Sequence, residues 1–302
     1  MRVLWALLLG ITSSLAYEYD LKAVNVDQGI YCFFGKPEVM NEINNGNMVN
    51  SCYVDAGRHW LVIDSGPTFA YAKEAAHTMQ QIKPMPVGLV IDTHVHDDHW
   101  LGNGYFKAKG IDIIGPTLFK TTVNPDETTR MQKRISKAAY AGTEIKFPTR
   151  YVDANTTLML DTLEVRLIRV DRKAHTEEDL MVFVPALNTL FAGDLVFNDR
   201  IPSLRDGDIS GWIAALEAIR SMPLKHIIGG HGDRTDNTAA EFTYRYLVQL
   251  RDGVREAIEN DIGIAEATKS IRLDAFRNAA LYDVMHAQNV EVVYRMLEWE
   301  DE

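Results

Sequence analysis

Only two cysteines occur in 302 residues, Cys32 and Cys52, in neighbouring β-like runs without metal-ligand spacing. A thiolate metal centre is therefore excluded. The two thiols either form a disulfide or stay free and buried, because sequence does not show the Cα separation a disulfide demands. Positive charge is also scarce: 31 Lys and Arg against 42 Asp and Glu leave a net charge of −11. A nucleic acid would meet repulsion, so the expected partner is a small-molecule substrate and not a nucleic acid. Short-period repeats, low-complexity stretches and Pro/Gly/Ser linkers are missing, which makes residues 17–302 one expected domain. Long apolar runs are missing too. Residues 3–11 are apolar but far short of the ~20 residues a spanning helix needs. They follow Met1-Arg2 and precede Ser14-Leu15-Ala16. That pattern reads as a signal peptide, residues 1–16, cut after Ala16, and predicts a secreted or periplasmic protein with no stable membrane span afterwards. Export permits a Cys32–Cys52 disulfide. Nothing in the sequence names a protein partner.

What the chain does have is alternation of β-like and helical runs. Strand patterns cover residues 21–27, 30–34, 48–55 and 59–64, with Asn- and Gly-rich turns among them. A helix follows over 68–82, then an apolar strand over 87–92, a short strand over 111–114 and a polar helix over 125–140. Further strands fall at 157–160, 164–170, 180–184 and 190–194. Ile209, Trp212, Ile213, Leu216 and Ile219 mark one face of a helix over 208–221. A last strand covers 226–229, and residues 236–302 read as C-terminal helices packed on the same domain. Strand-rich halves with interspersed helices imply two packed sheets covered by helices.

Chemistry concentrates at Thr93-His94-Val95-His96-Asp97-Asp98-His99, where the strand 87–92 gives way to a turn. Three imidazoles and two carboxylates this close must be paired or ligated if buried. On an extended segment, residues i and i+2 project to one side, so His94 and His96 can grip one metal. A zinc also wants a third protein ligand and an open position. Asp98 and His99 point elsewhere, toward a second metal. His175 in a polar loop, Asp194 at a strand end and His231 in a Gly-His-Gly turn can supply the remaining ligands. His59, His77, His226 and His286 read as surface or packing residues.

His94-Val95-His96-Asp97-Asp98-His99, preceded by Asp64 and followed in order by His175, Asp194 and His231, resembles the metallo-β-lactamase superfamily. The resemblance implies an α/β fold (α+β in some schemes), a four-layer αββα sandwich of two mixed sheets flanked by helices. It implies two zinc ions, one on His94, His96 and His175, the other on Asp98, His99 and His231, with Asp194 bridging them. Asp64 would support the ligands without being one. The activity implied is metal-dependent hydrolysis, a shared hydroxide attacking an ester, thioester, lactone or amide carbonyl. Asp98 would also act catalytically as proton acceptor, and Asn198 and Arg200 are candidates to orient a substrate anion.

Phe191 to Phe197, with Arg200-Ile201-Pro202, Asp206-Gly207-Asp208, Gly211-Trp212 and a C-terminal His286-Ala287-Gln288-Asn289-Val290, is similar to the SoxH-like group of exported zinc hydrolases of quinoprotein relay and sulfur-oxidation clusters. Ala174 and Gly229 replace a Gly and a Pro common in relatives. Where a large secreted β-lactamase subclass has a bridging Cys and, three residues on, a drug-binding Lys, this chain has Asp194 and Phe197. An aspartate bridge resembles glyoxalase II and related thioesterases or lactonases instead, and leaves β-lactamase activity as an alternative. A second alternative is one Fe2+ on His94, His175 and Asp194, as in persulfide dioxygenases. A third, an inactive scaffold, is opposed by the intact ligand set.

Overall fold

Strand-length apolar runs pair in chain order to make the first sheet: β1 (Val24–Asp27), β2 (Ile30–Phe33), β3 (Ser51–Asp55), β4 (Trp60–Ile63), β5 (Val87–Ile91), β6 (Asp112–Pro116) and β7 (Arg150–Val152). The computed structural model describes residues 17–124 and 126–299, so the expected signal peptide and the last residues of the acidic tail lie outside the described residues. Pairing is antiparallel through β4 and parallel from β4 to β7, where helical crossovers replace tight turns. The second sheet has the order β12-β11-β10-β9-β8, built from β8 (Thr156–Leu160), β9 (Leu163–Arg169), β10 (Leu180–Val184), β11 (Thr189–Phe197) and β12 (His226–His231). Only its β11–β12 pair is parallel.

Between the sheets lies a dry layer that includes Val54, Ile63 and Ile91 of the first and Val165, Val182 and Ile228 of the second. Cys32 and Cys52 sit directly opposite each other in this layer and are joined as a disulfide. The outer face of the first sheet is covered by α1 (Phe69–Ile82), whose Tyr71, Ala72, Ala75 and Met79 are buried. The short α2 (Asp97–Trp100) and α3 (Asn103–Lys107) follow β5, and α4 (Phe119–Thr122), α5 (Arg130–Arg134) and α6 (Lys137–Tyr140) follow β6. Against the outer face of the second sheet pack α7 (Ile209–Ser221), α8 (Glu241–Glu259), α9 (Ile264–Ser270) and α10 (Tyr282–Leu297). Each large apolar side chain buried this way contributes about 1.5–3 kcal/mol. The result is the αββα sandwich. Among the described residues, no helix is long and apolar enough to cross a membrane.

Several expected boundaries shift for local reasons. The strand expected from residue 21 begins at Val24, because the N–H groups of Tyr19 and Leu21 donate to the Glu74 carboxylate at 2.5 and 2.6 Å instead of to a strand. The strand expected from residue 48 begins at Ser51. The helix expected over 125–140 is broken into α5 and α6, because Thr129 and Ser136 each cap a new start, accepting from Gln132 and Ala139. Pro125 lies outside the described residues. β11 runs three residues past Asp194, and β12 includes His231 itself.

Candidate metal centre

Every donor singled out in the sequence comes to one edge of the sandwich. His94 and His96 leave the C-terminal end of β5, Asp98 and His99 occupy α2, and His175 sits in the loop joining β9 to β10. Asp194 projects from within β11, where the pairing with β12 is irregular on both sides of Gly193. A bulge of this kind re-aims the next side chain. Gly193 takes φ +52°, and a Cβ there would lie 2.7 Å from Thr93 Oγ1.

The donors form two groups, His94, His96, His175 and Asp194 in one and Asp98, His99 and His231 in the other, each with its donor atoms within 4.8 Å of one another. Asp194 touches both: its Oδ2 is 3.2 Å from His175 Nε2 and 3.3 Å from His231 Nε2, and its Oδ1 is 3.1 Å from His99 Nε2. Two donors on one tetrahedral zinc are about 3.3 Å apart, given bond lengths of 2.0–2.1 Å. His94 Nε2, His99 Nε2 and Asp194 Oδ1 are buried without a hydrogen-bond partner. Orphaned polar atoms in a dry interior are costly unless something binds them. The donor set thus fits a pair of divalent ions.

Neighbours aim each ring. His94 Nδ1 donates to Thr93 Oγ1 at 3.0 Å, and that hydroxyl donates to Asp64 Oδ2 at 2.9 Å. His99 Nδ1 donates to the same Asp64 oxygen at 2.8 Å, and the Thr93 N–H to Asp64 Oδ1 at 2.8 Å. Asp64, held at φ +57°, is therefore the brace of the opening motif and not one of the grouped donors. His96 Nε2 donates to Asp206 Oδ2 at 3.1 Å, leaving Nδ1 2.9 Å from His175 Nε2. His231 Nδ1 donates to the Met48 carbonyl at 2.5 Å, with the Arg200 guanidinium against the same edge. Asn50 Nδ2 secures the turn by donating to Gly229 and Gly232 carbonyls at 2.9 and 2.6 Å.

Electrostatics suit ligation at His94 and His96, while at His99 burial is outweighed by the carboxylates of Asp194, Asp64 and Asp98, which push the ring up. Burial, then the nearby His99, holds the His94 ring well below the ordinary imidazole value, and burial holds His96 down at about 4. Both rings are neutral near pH 7, as metal ligation requires. Burial pushes Asp194 and Asp98 up, but the imidazoles outweigh it, joined by Arg130 at Asp98, and keep both below the usual carboxylate range.

Two residues that matter here were given no role at the site by sequence: Arg130 was not named, and Asp206 stood only in the Asp206-Gly207-Asp208 resemblance. Arg130, inside the expected polar helix, donates to Asp97 Oδ1 at 2.8 Å and to Asp98 Oδ1 at 2.9 Å. The Thr129 cap just before it is the signal that places Arg130 at a helix start. Asp206 braces His96 from a loop that shows no periodicity. Asp206→Asn is expected to weaken metal binding about tenfold, within the 10–100-fold range for residues supporting a ligand; competition with a chromogenic chelator measures it. Of the two residues expected to orient substrate, Arg200 lines the cavity over the donors. Asn198 does not: it is buried, with its Cβ 2.5 Å from where a Cβ on Gly232 would stand. Both atoms of its side-chain amide are buried without a hydrogen-bond partner. The other four histidines stay outside the site. His59 pairs with Asp161, His77 with Gln81, His226 with Asp27, and His286 with Tyr246.

The fold and site define an α/β protein: a two-sheet sandwich carrying, at one sheet edge, two joined His/Asp donor groups that could hold metal. The chain belongs to the metallo-beta-lactamase superfamily, whose family model matches residues 44–231. Solved structures share the fold. A metallo-beta-lactamase from Pontibacter korlensis is 18% identical with a TM-score of 0.59, over 75% of this chain and 98% of that one. One from Hirschia baltica is 16% identical with a TM-score of 0.57, over 75% and 97%. The DIM-1 metallo-beta-lactamase exposed to ceftazidime is 18% identical with a TM-score of 0.58, over 77% and 97%.

Proposed function

We propose that this chain is an exported dinuclear zinc hydrolase that cleaves an ester, thioester, lactone or amide carbonyl of a small molecule. The observation that carries the reading is the pair of buried donor groups joined through Asp194, with unpartnered nitrogens and oxygen facing one another. His94, His96 and His175 would hold one ion, Asp98, His99 and His231 the other, and Asp194 both. When bound, a zinc pair supplies a water whose pKa falls toward ~7 and an electrophile for the carbonyl oxygen.

The chain's own residues do the remaining work. Arg130 engages Asp98 Oδ1 and leaves Oδ2 facing His231 Nε2 at 3.6 Å. That ion pair favours the carboxylate anion, which suits a ligand and works against accepting a proton. We therefore assign Asp98 to ligation. Trp212 packs edge-on against His175 at 4.8 Å and donates to the Leu195 carbonyl at 2.9 Å, fixing the ring and excluding water behind it. Phe197 stacks on His231 at 4.9 Å where the secreted β-lactamase subclass has its drug-binding Lys, so β-lactam hydrolysis in that subclass's manner is the minor reading.

A SoxH-like lineage rests on the sequence similarity of residues 191–212 and 286–290. Asn289 of α10 donates to the Pro202 carbonyl at 2.8 Å and accepts from the Leu204 N–H at 3.1 Å, tying the terminal helices to the loop that carries Arg200 and Asp206. Export is supported by the apolar start of the chain and by the Cys32–Cys52 bond, which persists in oxidising compartments. Elemental analysis of the mature protein tests the metal: two zincs per chain are expected, one iron would favour the oxygenase reading, and no bound metal would sink both. Turnover of lactone, thioester, β-lactam and phosphoester substrates by the zinc-loaded protein then sorts the chemistry.

A further inference from the structure

We infer that the substrate of this site is an amphiphilic carboxylate, its acid group held by Lys133 and Arg134 and its apolar body by a methionine-rich wall. The inference rests on the hydrolase reading only for where the scissile carbonyl lies. The binding argument is separate.

A protein of net charge −11 repels anions overall. The cavity over the donors reverses that sign. Arg130, Lys133, Arg134, Arg200 and Arg205 line it, against two carboxylates, Asp98 and Asp194, both in the donor groups. Three of the cations are engaged: Arg130 with Asp97 and Asp98, Arg200 against His231, and Arg205 with Asp206. Lys133 and Arg134, both exposed at the cavity mouth, form no ion pair with any described residue. The fold holds them there. Met131 and Ile135 on either side are buried, and the Met131 N–H donates to Asp97 Oδ2 at 3.1 Å, so α5 cannot turn its basic residues away. A carboxylate between an ammonium and a guanidinium gains charge-assisted hydrogen bonds.

Apart from the three donor histidines and Ser203, the remaining lining is apolar: Val39, Met40, Met48, Phe197 and Met285. Methionine side chains are adaptable and fit apolar groups of varied shape. The cavity volume is about 320 Å³, at the small end of the ~300–1,000 Å³ typical of small-molecule sites. One small molecule with a charged end and an apolar body fits both walls.

Two matched pairs test this on the zinc-loaded protein. The first is turnover of the mono-4-nitrophenyl ester of adipic acid against 4-nitrophenyl hexanoate, equal in chain length but differing in charge. We expect kcat/KM about tenfold higher for the anionic ester, the size of one hydrogen bond to a charged group. The preference should reside in KM and fall to near one in Lys133→Glu/Arg134→Glu. Lys133→Gln/Arg134→Gln, which adds no charge, should fall between. The second pair is binding of 4-phenylbutyrate against 4-phenylbutanol by calorimetry, with the same variants. If neither ester turns over but the butyrate preference holds and vanishes in the variants, the hydrolase reading fails and the substrate class stands. Equal affinity for acid and alcohol overturns the inference. So does an anion preference that survives in both variants, since the metal ions alone would then account for it.

Discussion

His96→Ala and Asp98→Asn are each expected to bring turnover to the assay background, a loss beyond the ~10–100-fold typical of residues that merely support a ligand. Each variant removes a donor from a different group, so each should retain about one zinc per chain, and the two retained ions should sit in different places. The fold should survive both changes. His96 lies at the rim and packs through its edge, so alanine leaves a gap open to solvent rather than a buried cavity. Asp98→Asn keeps shape and a hydrogen-bond acceptor for Arg130. Elemental analysis, turnover and circular dichroism on the same preparations separate the two effects. Normal activity in either variant would refute the metal-site reading.

Gly230→Ala should be nearly as damaging although it touches no donor chemically. A Cβ at Gly230 would stand 2.0 Å from Asp194 Oδ1 and 3.0 Å from His99 Cε1 and the Gly193 carbonyl carbon. The backbone of β12 has no room to retreat, since Gly229 is itself packed against Val196 in β11. Asp194 must therefore move, and it is the one carboxylate within reach of both groups. A displacement of about 1 Å at a reacting centre can cost 10²-fold in rate, and loss of zinc from both groups should accompany it. Gly263→Ala is the matched control, because nothing lies within 4 Å of its Cβ position. Equal zinc content and activity in the two variants would show that Gly230 is not needed for close approach.

The ligand residues were legible because metal chemistry is written in residue types. Imidazoles and carboxylates crowded at a strand end are costly in any other role, and the order of Asp64, the histidine motif, His175, Asp194 and His231 is carried by the chain itself. The sandwich was legible for a related reason: strand-length apolar runs and one-faced helices can hide their apolar surface in few ways. The helix expected over 125–140 failed on local competition, since Thr129 and Ser136 offer side-chain caps that restart the helix and outweigh one continuous run.

By itself the sequence determined the donors, the layer architecture and the low positive charge. The division into two groups with Asp194 between them was already implied by the family resemblance, and the tertiary structure supplied its distances; only the tertiary structure decided that Arg130 and Asp206 steady the donors. It also decided that scarce cations gather at one cavity mouth. Residue type is local and survives in one dimension. Distances between groups far apart in the chain are set by strand register, a bulge at Gly193 and the close approach at Gly230, and these exist only once both sheets have packed.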